Sequence, residues 1–241
     1  MKLTTVLSAV NNNPSYYKFI PKQILFWRAY GIKFVAVFVG ESLPPELEEC
    51  RANIFMWSKN LDLNTAYVGQ NLRLFYPALL QLPEDEFVMI TDMDMLPTVS
   101  SYFKDGLEQY TQKDFIYYRK VEGNQILMCY NAAHPSTWST VFGVRTEQDV
   151  EAKLYQFYNG NYTGVPGGAG WFTDQIILYA MLIPYPHLKV LDRPLKRLEM
   201  WDFNAGTDIR NYHDAHFHRS YADNEQRILM AEAQMRANGL L

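Results

Sequence analysis

The chain has 241 residues, 48% hydrophobic and 15% aromatic, enough apolar material for one large α/β domain or two small ones. Its 22 basic and 26 acidic side chains leave a formal charge of −4, and no Lys/Arg run forms a stripe able to track phosphates, which argues against nucleic acid as a partner. The two cysteines, Cys50 and Cys129, supply neither a disulfide framework nor a zinc site.

Residues 1–7 are too short in their apolar run for a signal peptide and read as strand. No apolar stretch reaches membrane-spanning length, so the expectation is a soluble, cytoplasmic protein. Residues 4–10 form the first strand and run into Asn11-Asn12-Asn13-Pro14, a turn that opens a helix. Helix is expected over 23–30, with Gly31 placed to end it. Residues 32–39 (IKFVAVFV) are almost continuously apolar, as in a strand covered on both faces. A short acidic helix follows at 44–49 and a third strand at 53–57. Asn64 can cap the next helix, whose buried stripe would be Leu72, Phe75, Leu79 and Leu82. The fourth strand, 87–91, runs straight into Asp92-Met93-Asp94. Alternating strands and helices specify a parallel sheet with helices on both faces.

The second half is less regular. Strands are expected at 114–118 and 125–130, helices at 135–142 and 147–158, with Thr146 and Asp149 spaced as a capping box. Residues 160–170 hold five glycines and a proline and suit a mobile lid, since such loops exclude water from a reacting site. They lack the spacing of a dinucleotide-binding fingerprint. A helix beginning Thr173-Asp174-Gln175 follows. The sequon Asn161-Tyr162-Thr163 is read as chance. The expected organisation is a single compact domain over 1–241, with a nucleotide-binding half at 1–97 and an acceptor and sugar half at 98–241.

Alternation puts the carboxylates of Asp92 and Asp94 on one side of the chain at the C-terminal end of a buried strand, where open α/β sheets bind ligands. Two such acids can bridge Mg²⁺ or Mn²⁺ to a diphosphate; a solvated turn is the plainer alternative. In His213-Asp214-Ala215-His216-Phe217-His218-Arg219, an extended backbone points His216 and His218 the same way and His213 away. Imidazole suits Mn²⁺ better than Mg²⁺. Asp174 would also be favoured by the dipole of a helix start, and Thr173 could cap it.

Residues 71–97, NLRLFYPALLQLPEDEFVMITDMDMLP, resemble the core of GT-A glycosyltransferases. The resemblance implies a GT-A fold (a Rossmann-like mixed sheet flanked by helices) and transfer of a sugar from a nucleoside-diphosphate sugar, UDP first and GDP second, to a hydroxyl acceptor such as a glycan, with Mn²⁺ or Mg²⁺ as cofactor. It implies that Arg73 contacts the donor, that Asp94 ligates the metal, and that Asp92 meets the donor ribose or a metal-bound water. His216-Phe217 is similar to the family's late metal-binding segment, with His218 as second candidate. Trp171, Asp174 and Gln175 would line the acceptor and sugar site, with Asp174 as general base if configuration inverts. Ala9, Asn11, Asn12 and Met93 would contact the donor, and Tyr16 or Tyr17 would stack on the base. The rivals are a sugar-phosphate nucleotidyltransferase, which wants a Gly-rich basic loop after the first strand, and an inactive nucleotide- or carbohydrate-binding module.

Overall fold

The computed structural model describes every residue except Lys120, Asp192 and Arg219. In chain order the elements are β1 (Lys2–Asn11), α1 (Pro14–Tyr17), α2 (Ile20–Ala29), β2 (Lys33–Val39), β3 (Ile54–Trp57), α3 (Thr65–Phe75), β4 (Glu86–Ile90), β5 (Met95–Pro97), α4 (Ser101–Lys104), β6 (Phe115–Tyr117), β7 (Asn131–Ala133), α5 (Pro135–Phe142), α6 (Glu147–Phe157), α7 (Thr173–Leu182), β8 (Leu188–Val190), β9 (Arg197–Glu199), β10 (Asp214–His216) and α8 (Tyr221–Ala237).

Seven strands form the central sheet in the order β3-β2-β1-β4-β7-β6-β8. The first four are mutually parallel, β7 runs antiparallel to β4 and β6, and β8 is parallel to β6. The apolar run of β2 has the double-sided burial its sequence requires. Phe34, Ala36 and Phe38 pack with Phe26 and Trp27 of α2 and Met235 of α8. Val37 and Val39 face the opposite core with Leu72 and Phe75 of α3, Trp138 of α5 and Leu178 of α7. Each fully buried Phe or Leu contributes roughly 2 kcal/mol of transfer free energy. A second, three-stranded sheet, β5-β10-β9, lies beyond the end of β4 and carries part of the candidate site. No helix among the described residues is long and apolar enough to cross a membrane.

Local signals explain most boundaries. Asn13 accepts from Ser15 N at the start of α1, and Asn64 accepts from Ala66 N at the start of α3. Gly31, at φ +68°, lies just past α2, and its N–H donates to the Arg28 carbonyl. Thr146 and Asp149 form the expected capping box on α6.

Four expectations need correction. The acidic segment after β2 is a 3₁₀ helix, Pro45–Asn53. The helical stripe stops at Phe75: Pro77 lacks the N–H an α-helix needs, the chain tightens into a 3₁₀ turn over Tyr76–Leu79, and Leu82 lies outside any helix. The strand expected at 125–130 lies just after it, as β7, because Asn131 donates back to the carbonyls of Leu127 and Met128 and folds those residues into a turn. Thr173 does not cap α7; its hydroxyl donates to the Gly170 carbonyl, and Phe172 takes the cap position.

Candidate active site

The two aspartates sit on a turn joining β4 to β5, held from beneath by a buried side chain. Gln23 of α2 donates to the carbonyls of Met93 (2.7 Å) and Met95 (2.8 Å) and accepts from Trp27 Nε1 (2.9 Å). A buried amide satisfied on both sides makes a stiff clamp. Strand β10 returns antiparallel to β5, placing His216 opposite Met95, and Phe217 N donates to the Asp94 carbonyl at 2.9 Å. This pairing brings His216 Nε2 to 3.8 Å from Asp94 Oδ2. Ligand atoms about 2.1 Å from a shared ion lie roughly 3 to 4.2 Å apart, so the spacing fits one cation between them. Burial opposes a charge on His216, but the Asp94 carboxylate outweighs it and raises the imidazole's pKa.

On the other side of β10, parallel β9 sets Glu199 beside His216. His216 Nδ1 is 3.2 Å from Glu199 Oε2 yet makes no hydrogen bond there. His218 Nε2 reaches the same oxygen at 2.7 Å, and the two imidazole rings are 3.4 Å apart. Glu199, His216 and His218 thus form a cluster able to hold a metal ion, with ligand atoms within 4.8 Å of one another. Beneath it, Arg197 donates from Nε and Nη2 to Asp214, which also accepts from Tyr130 Oη at 2.6 Å. Because Asp214 and Arg197 open β10 and β9 respectively, this network ties the two ligand-bearing strands together.

Arg73 of α3 spans the next layer. Its Nη1 bonds Asp92 Oδ1 and its Nη2 bonds Asp174 Oδ2 at 2.6 Å. Burial disfavours ionised Asp92, but Arg73 and then His216 overcome it and hold its pKa below the usual range. Asp174 is 0% exposed; there burial outweighs Arg73 and leaves the pKa raised. Its other oxygen accepts from Gln175 N at 2.8 Å. Helix α3 comes close to the end of β1 because Gly69 has no side chain: a Cβ there would sit 3.1 Å from Asn11 N.

These elements enclose a cleft of about 700 Å³, lined by Ala9, Asn11, Arg73, Asp92, Met93, Asp94, Trp171, Gln175, His216 and His218 among the residues expected from sequence. Asn12 and Asp174 do not line it. Tyr16 does, whereas Tyr17 is buried against Phe38 with its hydroxyl on Glu46. His213 stacks on Tyr102 and accepts from Lys196 N, pointing away from the cluster as expected. Arg219 lies outside the described residues. Sequence reasoning missed Glu199, Tyr162 and Gln70, which lines the cleft and donates to the Trp171 carbonyl. Glu199 carried no signal, since its partnership with His216 exists only through strand pairing. Tyr162, inside the glycine-rich segment, is buried against Tyr67, so its aromatic character was the available clue.

The fold, a mixed and mostly parallel sheet flanked by helices, is of the GT-A type. No protein-family model matches the sequence, and no curated protein matches it in a sequence search. Among solved structures, galactosyltransferase LgtC in complex with donor and acceptor sugar analogues is similar at a TM-score of 0.53 and 11% identity, over 99% of this chain and 100% of that one. A glycosyltransferase involved in glycosylation of the major capsid of PBCV-1 is similar at 0.51 and 11%, over 95% and 100%. The glycosyltransferase GlyE of Streptococcus pneumoniae TIGR4 is similar at 0.50 and 13% over 79% of this chain, which spans 45% of that protein. At such identities the likeness speaks for the fold.

Proposed function

We propose that the chain is a metal-dependent glycosyltransferase moving a sugar from a nucleoside-diphosphate sugar to a hydroxyl acceptor. The observation that carries this reading is the charge balance of the cleft. Among its described lining residues Arg73 is the sole Lys or Arg, and it is already engaged by Asp92 and Asp174, while His216 is paired with Asp94. Asp94 and the neighbouring Glu199 add further negative charge. A diphosphate is repelled by such a cleft unless a divalent cation enters with it. Asp94 and His216 would hold that cation, with Asp92, His218 and Glu199 beside them, and it would neutralise the nucleoside diphosphate as it departs. The mixed oxygen and imidazole donors favour Mn²⁺ over Mg²⁺.

In this reading residues 1–97 supply the nucleotide side and 98–241 the acceptor side. Tyr16, with Ala9 and Asn11 at the end of β1, offers the surface for the base, UDP ahead of GDP. Glu199, 3.2 Å from His216 Nδ1, would orient the ring by accepting from Nδ1 once Nε2 holds the cation, as a carboxylate behind a ligating histidine does. Trp171 and Gln175 border the sugar. Burial of Asp174 supports a positioning role, in which it holds the Arg73 guanidinium at the cleft wall. Service as the acceptor's base as well requires its carboxylate to reach the cleft when donor binds. Segment 160–170 would close over the donor, since Gly164 and Pro166 border the cleft.

The direct test is a panel of nucleotide sugars read by thermal shift and by donor hydrolysis, with Mn²⁺ and with excess chelator. At least one donor should stabilise the protein and be hydrolysed only with metal. Turnover undiminished by chelator, or no response to any donor, would overturn the proposal; donor binding without turnover would make the chain a binding module.

A further inference from the structure

Trp201 is 63% exposed, more than any other large hydrophobic side chain among the described residues. Single exposed apolar residues are common and need no explanation by themselves. Here the ring is also fixed in orientation. The indole stacks on the imidazole of His218, with centroids 4.9 Å apart and planes 12° from parallel. His218 borders the cleft and is tied to Glu199 Oε2 at 2.7 Å. One face of the indole is therefore covered by His218 at the cleft's edge, and the rest of the ring stands in solvent.

The backbone beneath it is equally constrained. Trp201 lies in the 3₁₀ turn Met200–Asp202 that directly follows β9. The next residue, Phe203, is buried and packs on Phe217. The Asp202 carbonyl accepts from Asn204 Nδ2 and Thr207 Oγ1. The Asp202 carboxylate is exposed and has no hydrogen-bond partner among the described residues. The exposed residues that follow it, Asp202, Asn204, Ala205 and Gly206, are polar or small, and among the described residues no other large exposed apolar side chain lies within ten residues of it in sequence. A protein partner would need a far larger contiguous patch. A nucleobase has its own aromatic surface in the cleft, where Tyr16 accompanies Ala9 and Asn11. A flat apolar face with a free carboxylate beside it matches a pyranose ring, which shows C–H groups on one face and hydroxyls around its rim.

We propose that Trp201 is the stacking platform for a carbohydrate acceptor, with Asp202 accepting hydrogen bonds from the ring hydroxyls. The proposal rests on the glycosyltransferase reading and adds to it a place for the acceptor.

The test is saturation-transfer NMR with methyl α- and β-pyranosides of glucose, galactose, mannose, N-acetylglucosamine and xylose, in the presence of UDP and Mn²⁺. At least one glycoside should bind the wild type, with its ring C–H protons receiving the strongest transfer. Trp201→Ala should weaken that binding at least about fivefold, the scale of a lost aromatic contact, and Trp201→Phe should lose less. Leu229→Ala, an exposed apolar change on α8, should bind as wild type does, and circular dichroism checks that each variant folds. Equal binding by Trp201→Ala, or no glycoside bound by the wild type, would overturn the platform while leaving donor hydrolysis as the measure of the underlying reading. Glycoside binding lost in Trp201→Ala, in a protein that hydrolyses no nucleotide sugar, would uphold the platform and sink the transferase.

Discussion

Arg73 serves two carboxylates at once, and its removal should expose how much each depends on it. Taking away one partner of a buried ion pair leaves the other charge uncompensated, at a cost of about 3–5 kcal/mol. Arg73→Ala should therefore lower stability in urea by about 3 kcal/mol, because Asp174 is fully buried. A loss below 1 kcal/mol would mean that Asp174 is held by other groups. Glu199 gives a second expectation at this scale. If it orients His216, Glu199→Gln should weaken Mn²⁺ binding about 10- to 100-fold, measured as free Mn²⁺ by electron paramagnetic resonance. Unchanged affinity would remove Glu199 from the site. Asp92 and Asp94 were legible in the sequence because an apolar strand delivers them to a predictable edge of the sheet. Glu199 was not, since an acid in Arg197-Leu198-Glu199-Met200-Trp201-Asp202 looks like any surface acid until β9 is laid beside β10. Asp174 was legible as a residue of interest but not as a buried one, because burial of a first-turn acid depends on Arg73 arriving from α3.

Elements whose ends carry their own hydrogen-bond partners were read correctly from sequence, and α6 shows why. Thr146 accepts from Asp149 N, while the Asp149 carboxylate accepts from Arg145 N and Thr146 N. Thr146→Ala should cost about 1 kcal/mol in a chemical melt. Hydrogen bonds from Arg145 and Thr146 hold the Asp149 pKa below its ordinary 3.8. The contribution of the Asp149 charge is thus full above that value and fades as pH falls through the folded-state pKa. A destabilisation by Asp149→Asn should be present at pH 7 and shrink below about pH 4; a difference that persists in acid would show that the charge is not what matters. Elements defined by distant partners were misread. Residues 125–130 have strand composition, but Asn131 spends its side-chain amide on the carbonyls behind it, and only β4 and β6 decide where pairing begins. The stripe through Leu79 and Leu82 failed for a reason visible in the sequence, Pro77.

At the scale of the molecule, the parallel half was legible because its strands are apolar on both faces, whereas the small sheet β5-β10-β9 was hidden, its strands being three residues each. Segment 160–170 stands over the cleft through Tyr162, Gly164 and Pro166. Ordering it through contacts to donor phosphate or sugar should slow proteolysis within it when nucleotide sugar and Mn²⁺ are added together, and much less with Mn²⁺ alone. Equal protection by the metal alone would show that the loop does not sense donor. The pairing of β10 with β5 also has a consequence for the chain as it is made. A polypeptide emerging from the ribosome presents Asp92 and Asp94 early, whereas Glu199, His216 and His218 are made well after them. Until then the acids stand without imidazoles, so an unfinished chain cannot complete the cluster. If the cluster takes a metal as proposed, its capture must wait until translation has passed His218, and cation-dependent stabilisation would report that β9 and β10 have paired.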